Sequence, residues 1–445
     1  MGIFRFFEID GALVFTLLGR FSGSLFGLIT LWFVYNFLSP LEAGFYFTFA
    51  SILALQIIFE LGMFQVIMQF ASHEMPLLSY DKNGFLRGSK SSLSRLASIL
   101  RFIFYWYGVI SLLMLVIIMP VGYFVISSGH SSDLVEWQMP WILLVISASI
   151  NIFVMPLYSF LDGCGQIKNV AKIRIVQNTV GSCFAWISLI FGAGLYSLAM
   201  MNGVVTMVAI SWLFFFKKSF IVNILRSYSL TYNVNWKKEI LPYQWRVALS
   251  YFSGYFSNQA LIPLAFILIG PIESGQMGFS FALTWALLSI SLSWVNTKTP
   301  TLGLLFSSNK KNEAYRLFIP ALRNSTIIVV LGSAIIIGLK FFLDYIESPL
   351  SLRMIEIWPL LILLLTTVLN NIIFSISIYL RADKTDPTMP MMLVLSSLTL
   401  VFSYVLAEKF GVMGIISAYL AVTFFVGFIW STSIFMKRRL LLMPF

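Results

Sequence analysis

Twelve apolar runs of about 20 residues, closed off by short charged connectors, constrain this chain more than any other feature. They cover roughly 13–38, 43–71, 101–127, 140–161, 175–196, 198–216, 246–269, 275–300, 319–343, 356–380, 388–407 and 411–436. A backbone in hydrocarbon must satisfy its hydrogen bonds internally, and a run of about 20 apolar residues is long enough to cross as a helix, so each reads as a membrane-crossing helix. Composition excludes the soluble alternative: 59% of residues are hydrophobic and 11% charged, against about a half and a quarter in soluble domains. The expected fold is an all-α polytopic membrane protein. The run from Ala12 to Leu38 is too long for a signal-peptide core and has no small-residue cleavage site, so it reads as the first span.

The connectors alternate in charge. One side carries 24 of the 29 basic residues, among them Lys82, Arg87, Lys90, Arg95, Lys168, Lys172, Arg174, Lys217 and Lys218. The other has only Lys340, Arg353 and Lys409 against Glu42, Asp133, Glu136, Glu273, Asp344, Glu347, Glu356 and Glu408. Positive-inside orientation then predicts both termini in the cytoplasm. The formal charge of +11 is explained by topology and attraction to anionic membrane lipids; no separate basic domain calls for a nucleic-acid partner. Cys164 and Cys183 form no framework, and His73 and His130 have no Glu or Cys at ligand spacing, so neither a disulfide set nor a metal site is expected. In the connector from Pro76 to Ser98, the spacing of Leu93, Leu96 and Leu100 fits either a basic amphipathic helix on the inner leaflet or an extension of the next span.

The chain also repeats itself. At an offset of 231 residues Phe21-Ser22-Gly23 matches Phe252-Ser253-Gly254, and Pro40-Leu41-Glu42-Ala43-Gly44 matches Pro271-Ile272-Glu273-Ser274-Gly275. Both P-x-E-x-G stretches fall at the outer turn between the first and second helix of a six-helix set. The expected organisation is therefore a six-helix bundle over 1–216, a linker over 217–245 and a second six-helix bundle over 246–445. Six being even, the repeats are parallel and pseudo-symmetric about the membrane normal, as in one class of secondary transporters. Transport is expected, and no catalytic constellation points to an enzyme.

Ionisable side chains in hydrocarbon are costly and read as functional candidates. Arg20 lies about two turns into the first span, Glu60 in the second, Lys298 near the inner end of the eighth, and Arg246 at the mouth of the seventh. Snorkelling competes for Arg20 and Lys298, and an Arg20–Glu60 pair competes for both its members. Glu60 reads as a counter-ion, a proton-coupling carboxylate or a neutral acid. Amides within spans are glue or ligand contacts. The Asn258-Gln259 pair, just before Pro263, is the foremost candidate for substrate contact with Arg20, Arg246 and Lys298; Gln56 and Asn296 join Glu60 as candidates for coupling or gating.

The residues Arg20-Phe-Ser-Gly-Ser, Phe37-Leu-Ser-Pro-Leu-Glu-Ala-Gly-Phe-Tyr46 and Phe59-Glu-Leu-Gly-Met63 resemble the opening of polysaccharide flippases of the MOP superfamily, most of all the Wzx-type O-antigen or capsule translocases. The detailed likeness covers about 60 residues; the twelve spans and paired halves extend it coarsely. The resemblance implies a MATE-like pair of bundles in a bacterial inner membrane. It further implies translocation of an undecaprenyl-pyrophosphate-linked oligosaccharide through a cationic cavity by alternating access, with Arg20 and Lys298 as cavity cations. A polysaccharide polymerase and a chain-length regulator would be the implied partners beside membrane lipids. No cofactor is implied, and no P-loop occurs; a proton or sodium gradient or the membrane potential would drive turnover. The nearest rival is a MATE-like cation-coupled multidrug exporter, which requires acidic cavity residues. A membrane polymerase or ligase would need long outer loops, and these are short.

Overall fold

The computed structural model describes residues 11–60, 62–82, 84–129, 134–229, 249, 252–307, 310–382 and 387–440. The first run forms α1 (Gly11–Phe37), and the second is broken into α2 (Pro40–Leu53), α3 (Gln56–Glu60) and α4 (Met63–Glu74). A small antiparallel hairpin, β1 (Leu78–Tyr80) and β2 (Leu86–Gly88), precedes α5 (Lys90–Ser127), α6 (Gln138–Gly163) and α7 (Ile167–Ile190). Next, α8 (Tyr196–Trp212) passes through a π-helical turn, Leu213–Lys217, into α9 (Lys218–Arg226). After a helical stretch over 252–258 come α10 (Leu261–Leu268), α11 (Pro271–Asn296), α12 (Thr299–Ser307), α13 (Lys311–Tyr345) and α14 (Ile357–Arg381). The chain ends in α15 (Met389–Val422), a second π turn and α16 (Ile429–Leu440).

Among the described residues nine helices are long and apolar enough to span a membrane. The twelve runs of the sequence account for the difference. Helix α15 is two helices merged across Gly411, whose φ of 57° breaks the rod; α1 and the interrupted stretch from 252 to Leu268 supply the others. Two helices start earlier than hydropathy predicts. Helix α5 runs unbroken from Lys90 with Leu96 and Leu100 buried, so the amphipathic stretch extends the third span instead of lying on a leaflet. Helix α7 takes in Lys168, Lys172 and Arg174, because basic side chains reach water while their helix continues.

The chain divides into two compact units. The first comprises Met1–Phe33, Leu53–Phe124 and Glu136–Tyr251. Its helices are tied by side chains that bond foreign backbone: Gln177 donates to the Val205 carbonyl at 2.9 Å and Ser111 to that of Ser149 at 2.6 Å. Trp186 stacks on Phe33 and donates to the Thr30 hydroxyl at 3.0 Å. The hairpin is fastened by Tyr80, whose hydroxyl donates to the Cys164 carbonyl at 2.6 Å. Partial burial raises that phenol's pKa, the Gln166 amide opposing, so it stays a donor.

The second unit comprises Val34–Ile52, Val125–Val135 and Phe252–Phe445, and so contains α2 as well as α10 to α16. Here the two P-x-E-x-G copies meet. Helix α2 opens with a capping box: the Ser39 N–H donates to Glu42 Oε2 at 2.8 Å and the Glu42 N–H to Ser39 Oγ at 3.1 Å, with Pro40 at the first helical position. In α11 the cap is Gly270, held at φ 153°, where serine would be strained. The two helix starts cross at their glycines. A Cβ on Gly44 would lie 1.9 Å from the Pro271 carbonyl oxygen, and one on Gly275 would lie 2.9 Å from the Gly44 nitrogen. Nearby, Thr48 and Ser274 share a hydroxyl hydrogen bond of 3.1 Å. Arg353 closes the corner by donating to the carbonyls of Tyr35, in the last turn of α1, and Leu38, just after it; partial desolvation lowers its pKa, Tyr35 and Glu42 opposing.

Candidate functional site

Helix breaks inside a membrane release backbone groups that nothing in lipid can satisfy, so they persist where protein or a cavity receives them. The seventh span breaks at Gln259 and Ala260, between helical residues 252–258 and α10, with Pro263 in the first turn after the break. The released Gln259 carbonyl accepts a hydrogen bond of 2.6 Å from Ser51 on α2. One residue earlier, Asn258 Oδ1 accepts from the Tyr419 hydroxyl at 2.6 Å, and that hydroxyl accepts from Asn370 Nδ2 at 2.7 Å. All three residues are buried. A second buried cluster sits on α14: Asn371 Oδ1 accepts from Ser291 at 3.0 Å and from Ser325 at 2.8 Å. These amides have their partners inside the protein and tie α14 to the helical stretch over 252–258, to α11, to α13 and to α15.

Lys298 lies at another break, the turn between α11 and α12, with Asn296 two residues before it. Both are half-buried. Among the described residues no carboxylate pairs with Lys298, and no hydrogen bond joins Lys298 or Asn296 to the Asn258–Gln259 pair. The hydrophobic wall behind this break is well packed: Val295, Leu302, Phe318 and Tyr379 are buried in one cluster, with Phe318 and Tyr379 rings 4.6 Å apart. An ammonium at a helix break without a carboxylate partner among the described residues is chemically suited to an anion.

In the first unit, Gln56 and Glu60 begin and end the five-residue α3, and Gly62 in the left-handed conformation, φ 65°, follows. Glu60 is half-buried and has no ion pair among the described residues, and Tyr107 stands on α5. The Tyr107 ring stacks with Phe64 at 6.0 Å, and its buried hydroxyl has no hydrogen-bond partner there. A half-buried acid at an interrupted helix is able to exchange a proton or take a small cation.

The side chain of Arg20, on α1, and the whole of Arg246 fall outside the described residues. Six residues singled out in the sequence, Gln56, Glu60, Asn258, Gln259, Asn296 and Lys298, thus stand at or beside helix interruptions. Tyr107 and Tyr419 were missed, because hydropathy counts a phenol as apolar surface; an intramembrane tyrosine near an amide or acid was the signal available.

No family model and no curated protein matches this chain. Solved structures do. An inward-facing multidrug resistance MATE family transporter of the MOP superfamily aligns with a TM-score of 0.57 at 16% identity, over 92% of this chain and 97% of that one. The lipid II flippase MurJ in an inward closed conformation gives 0.60 at 14% identity, over 94% and 86%. The MATE multidrug transporter DinF-BH gives 0.62 at 12% identity, over 96% and 94%. The chain shares its fold with these solved transporters and with this flippase. At such identities the likeness is one of fold, and it agrees with the all-α polytopic architecture read from hydropathy.

Proposed function

We propose that this protein is a flippase, moving an undecaprenyl-pyrophosphate-linked oligosaccharide from the inner to the outer leaflet of a bacterial inner membrane for O-antigen, capsule or exopolysaccharide assembly. The observation that carries the reading is Lys298, a half-buried cation at a helix break with no carboxylate partner among the described residues. Arg20, on α1, is the second cation expected to meet the pyrophosphate, and Arg246 the third. A pyrophosphate crosses hydrocarbon at great cost unless cations and water receive it, whereas its polyprenyl tail stays in the bilayer. With both termini in the cytoplasm the inside-negative potential assists, by about 2.3 kcal/mol per charge per 100 mV moved outward. In this reading the halves 1–216 and 246–445 alternate access about the linker, and a polymerase and a chain-length regulator receive the product. The sequence resemblance to Wzx-type translocases supports it, and a lipid II flippase shares the fold.

One observation favours a second reading, a cation-coupled multidrug exporter: Glu60, a half-buried acid at a helix interruption with no ion pair among the described residues, offers a cation site, and multidrug transporters share the fold equally. Deleting the gene separates the two. Loss of surface glycan, with lipid-linked units accumulating on the inner leaflet and rescue by wild type but not by Lys298→Ala or Arg20→Ala, is the expected result. Normal surface glycan with raised sensitivity to cationic drugs would overturn the flippase and leave the exporter.

A further inference from the structure

Helix α13 does not continue past Tyr345. Glu347, at φ 50°, is the one non-glycine among the described residues in the left-handed region, and Pro349 follows with no N–H to give. The chain therefore crosses to α14 as a strap over 346–356, on the side that the charge pattern assigns to the outside. Its base is fixed. The Lys340 ammonium, 6% exposed, pairs with Asp344 Oδ1 at 3.1 Å and donates to the Ser351 carbonyl at 3.0 Å and to its hydroxyl at 2.6 Å, and that hydroxyl donates to Asp344. On α11 the Gln276 amide donates to the Leu352 carbonyl at 2.9 Å, and Ser280 accepts from the Ile355 N–H at 3.2 Å. All of these bonds lie within the second repeat.

Arg353 reaches the other way. Its guanidinium donates to the carbonyls of Tyr35 and Leu38, at the end of α1, and its carbon lies 5.8 Å from the Tyr35 ring centre. Carbonyls at a helix C-terminus have no partner within the helix and carry its negative end, so a cation from a distant element is the cap they lack. Two residues on, α2 begins and crosses α11 at glycines, Gly44 against Pro271 and Gly278 against Phe47, with the Thr48–Ser274 hydroxyl pair alongside. Such a crossing has few side chains to unlock. The hold on it is also incomplete. Arg353 Nη1 is buried without a hydrogen-bond partner among the described residues, and the cavity there, between Tyr35, Pro40, Ala43 and Gln276, is about 10 Å³, too small for a ligand larger than a water. Release into water satisfies that donor, so two bonds made by one side chain hold the closed arrangement and one unmade bond opposes it.

We propose that the strap over 346–356 is a latch: Arg353 holds the end of α1 and the start of α2 on α11, and its release lets α2 part from α11. Lys340 is the positioning residue that seats the strap. The residues joined come from the first repeat on one side and the second on the other, so their parting is a step that an alternating-access cycle can use; to that extent the inference rests on the transport reading.

The test uses the full chain in lipid nanodiscs, carrying Cys164→Ala and Cys183→Ala, with Ser274→Cys as a reporter buried in the crossing. A water-soluble maleimide reaches it when α2 parts from α11. Arg353→Met should raise the labelling rate about tenfold, and Arg353→Lys by less. Lys340→Met, which removes contacts to Ser351 and Asp344 only, should act in the same direction through the strap. Asn371→Leu, which loosens the same unit away from the strap, should leave the rate unchanged. An unchanged rate in Arg353→Met, or an equal rise in Asn371→Leu, would overturn the latch. A second arm asks whether the opening is used. Thr48→Cys with Ser274→Cys, oxidised to a disulfide in cells, should stop surface glycan export, and reduction should restore it; export that continues through the cross-link would overturn the latch's part in transport. The labelling arm does not depend on the cargo, so failure of the flippase reading in the deletion strain is seen separately, and drug resistance then becomes the readout for the cross-link.

Discussion

The meeting of the two repeat motifs makes Gly44→Ala the sharpest test of the fold. The new Cβ would sit 1.9 Å from the Pro271 carbonyl oxygen, 2.6 Å from its carbon and 3.1 Å from the Pro271 Cα. These are backbone atoms at a helix start, so no side chain can rotate away; α2 must retreat from α11 by about 1.5 Å to restore an ordinary contact. Overpacking of this kind costs about 1–3 kcal/mol. The retreat also strains the Thr48–Ser274 bond and the Ser51 bond to the Gln259 carbonyl, about 1 kcal/mol each. Alanine's better helix propensity returns about 1 kcal/mol. The net expectation is a loss of about 2–4 kcal/mol. Gly275→Ala, whose Cβ meets the Gly44 nitrogen at 2.9 Å, should cost less. Gly254→Ala, with nothing within 4 Å, should be neutral or stabilising. Thermal unfolding of the purified chain, followed by tryptophan fluorescence, ranks the three. If Gly44→Ala melts at or above wild type, the crossing is not as tight as described and the packing argument for the glycine shared by the two motifs fails.

Further outcomes follow from the polar clusters and the site. Asn371→Leu leaves the Ser325 hydroxyl without its acceptor and should destabilise by about 1–3 kcal/mol; adding Ser325→Ala should recover much of it, read as a double-mutant cycle in thermal unfolding. Arg353→Met uncaps the Tyr35 and Leu38 carbonyls and should cost about 1–3 kcal/mol in the same assay, with Arg353→Lys intermediate because one ammonium cannot reproduce the guanidinium fork. Glu60→Gln keeps the shape and removes the exchangeable charge. In proteoliposomes it should flatten the dependence of transport on an imposed proton or sodium gradient while leaving the folded fraction unchanged, and an unaltered dependence would remove Glu60 from coupling.

Much of the fold was legible because the signal is repeated over whole helices: about 20 apolar residues in a row leave little freedom. Helix ends were less legible. Hydropathy marks where hydrocarbon stops, not where hydrogen bonding stops, so α5 and α7 extend through the charged residues Lys90, Arg95, Lys168 and Lys172, whose stems tolerate the interface. The hairpin had no strong strand pattern to announce it. It exists because Asp81 accepts from the Phe85 N–H at 2.9 Å and from Arg87 at 2.9 Å, and because Tyr80 anchors it to Cys164. The repeat pointed to the outer turns, but not to the packing of its two glycines against each other; that depends on a crossing between distant helices.

The candidate site divides along the same physical line. A lone charge in an apolar run is visible in sequence, as Glu60 and Lys298 are. An amide is ambiguous, because its worth depends on whether its partners come from the protein. For Asn258 they do: Tyr419 and Gly254 satisfy its oxygen and its nitrogen, and the former shares its hydroxyl with Asn370. A residue so saturated makes a poor ligand contact and a good brace. That shifts the expectation for Asn258→Ala from altered substrate selectivity to lost stability. Lys298 has no such closure among the described residues, although it too stands at a helix break. Of the two kinds of residue gathered at the breaks, the satisfied amides brace the interruptions, and the charges that have no carboxylate or cation partner among the described residues are the ones to test for contact with a transported ion or lipid.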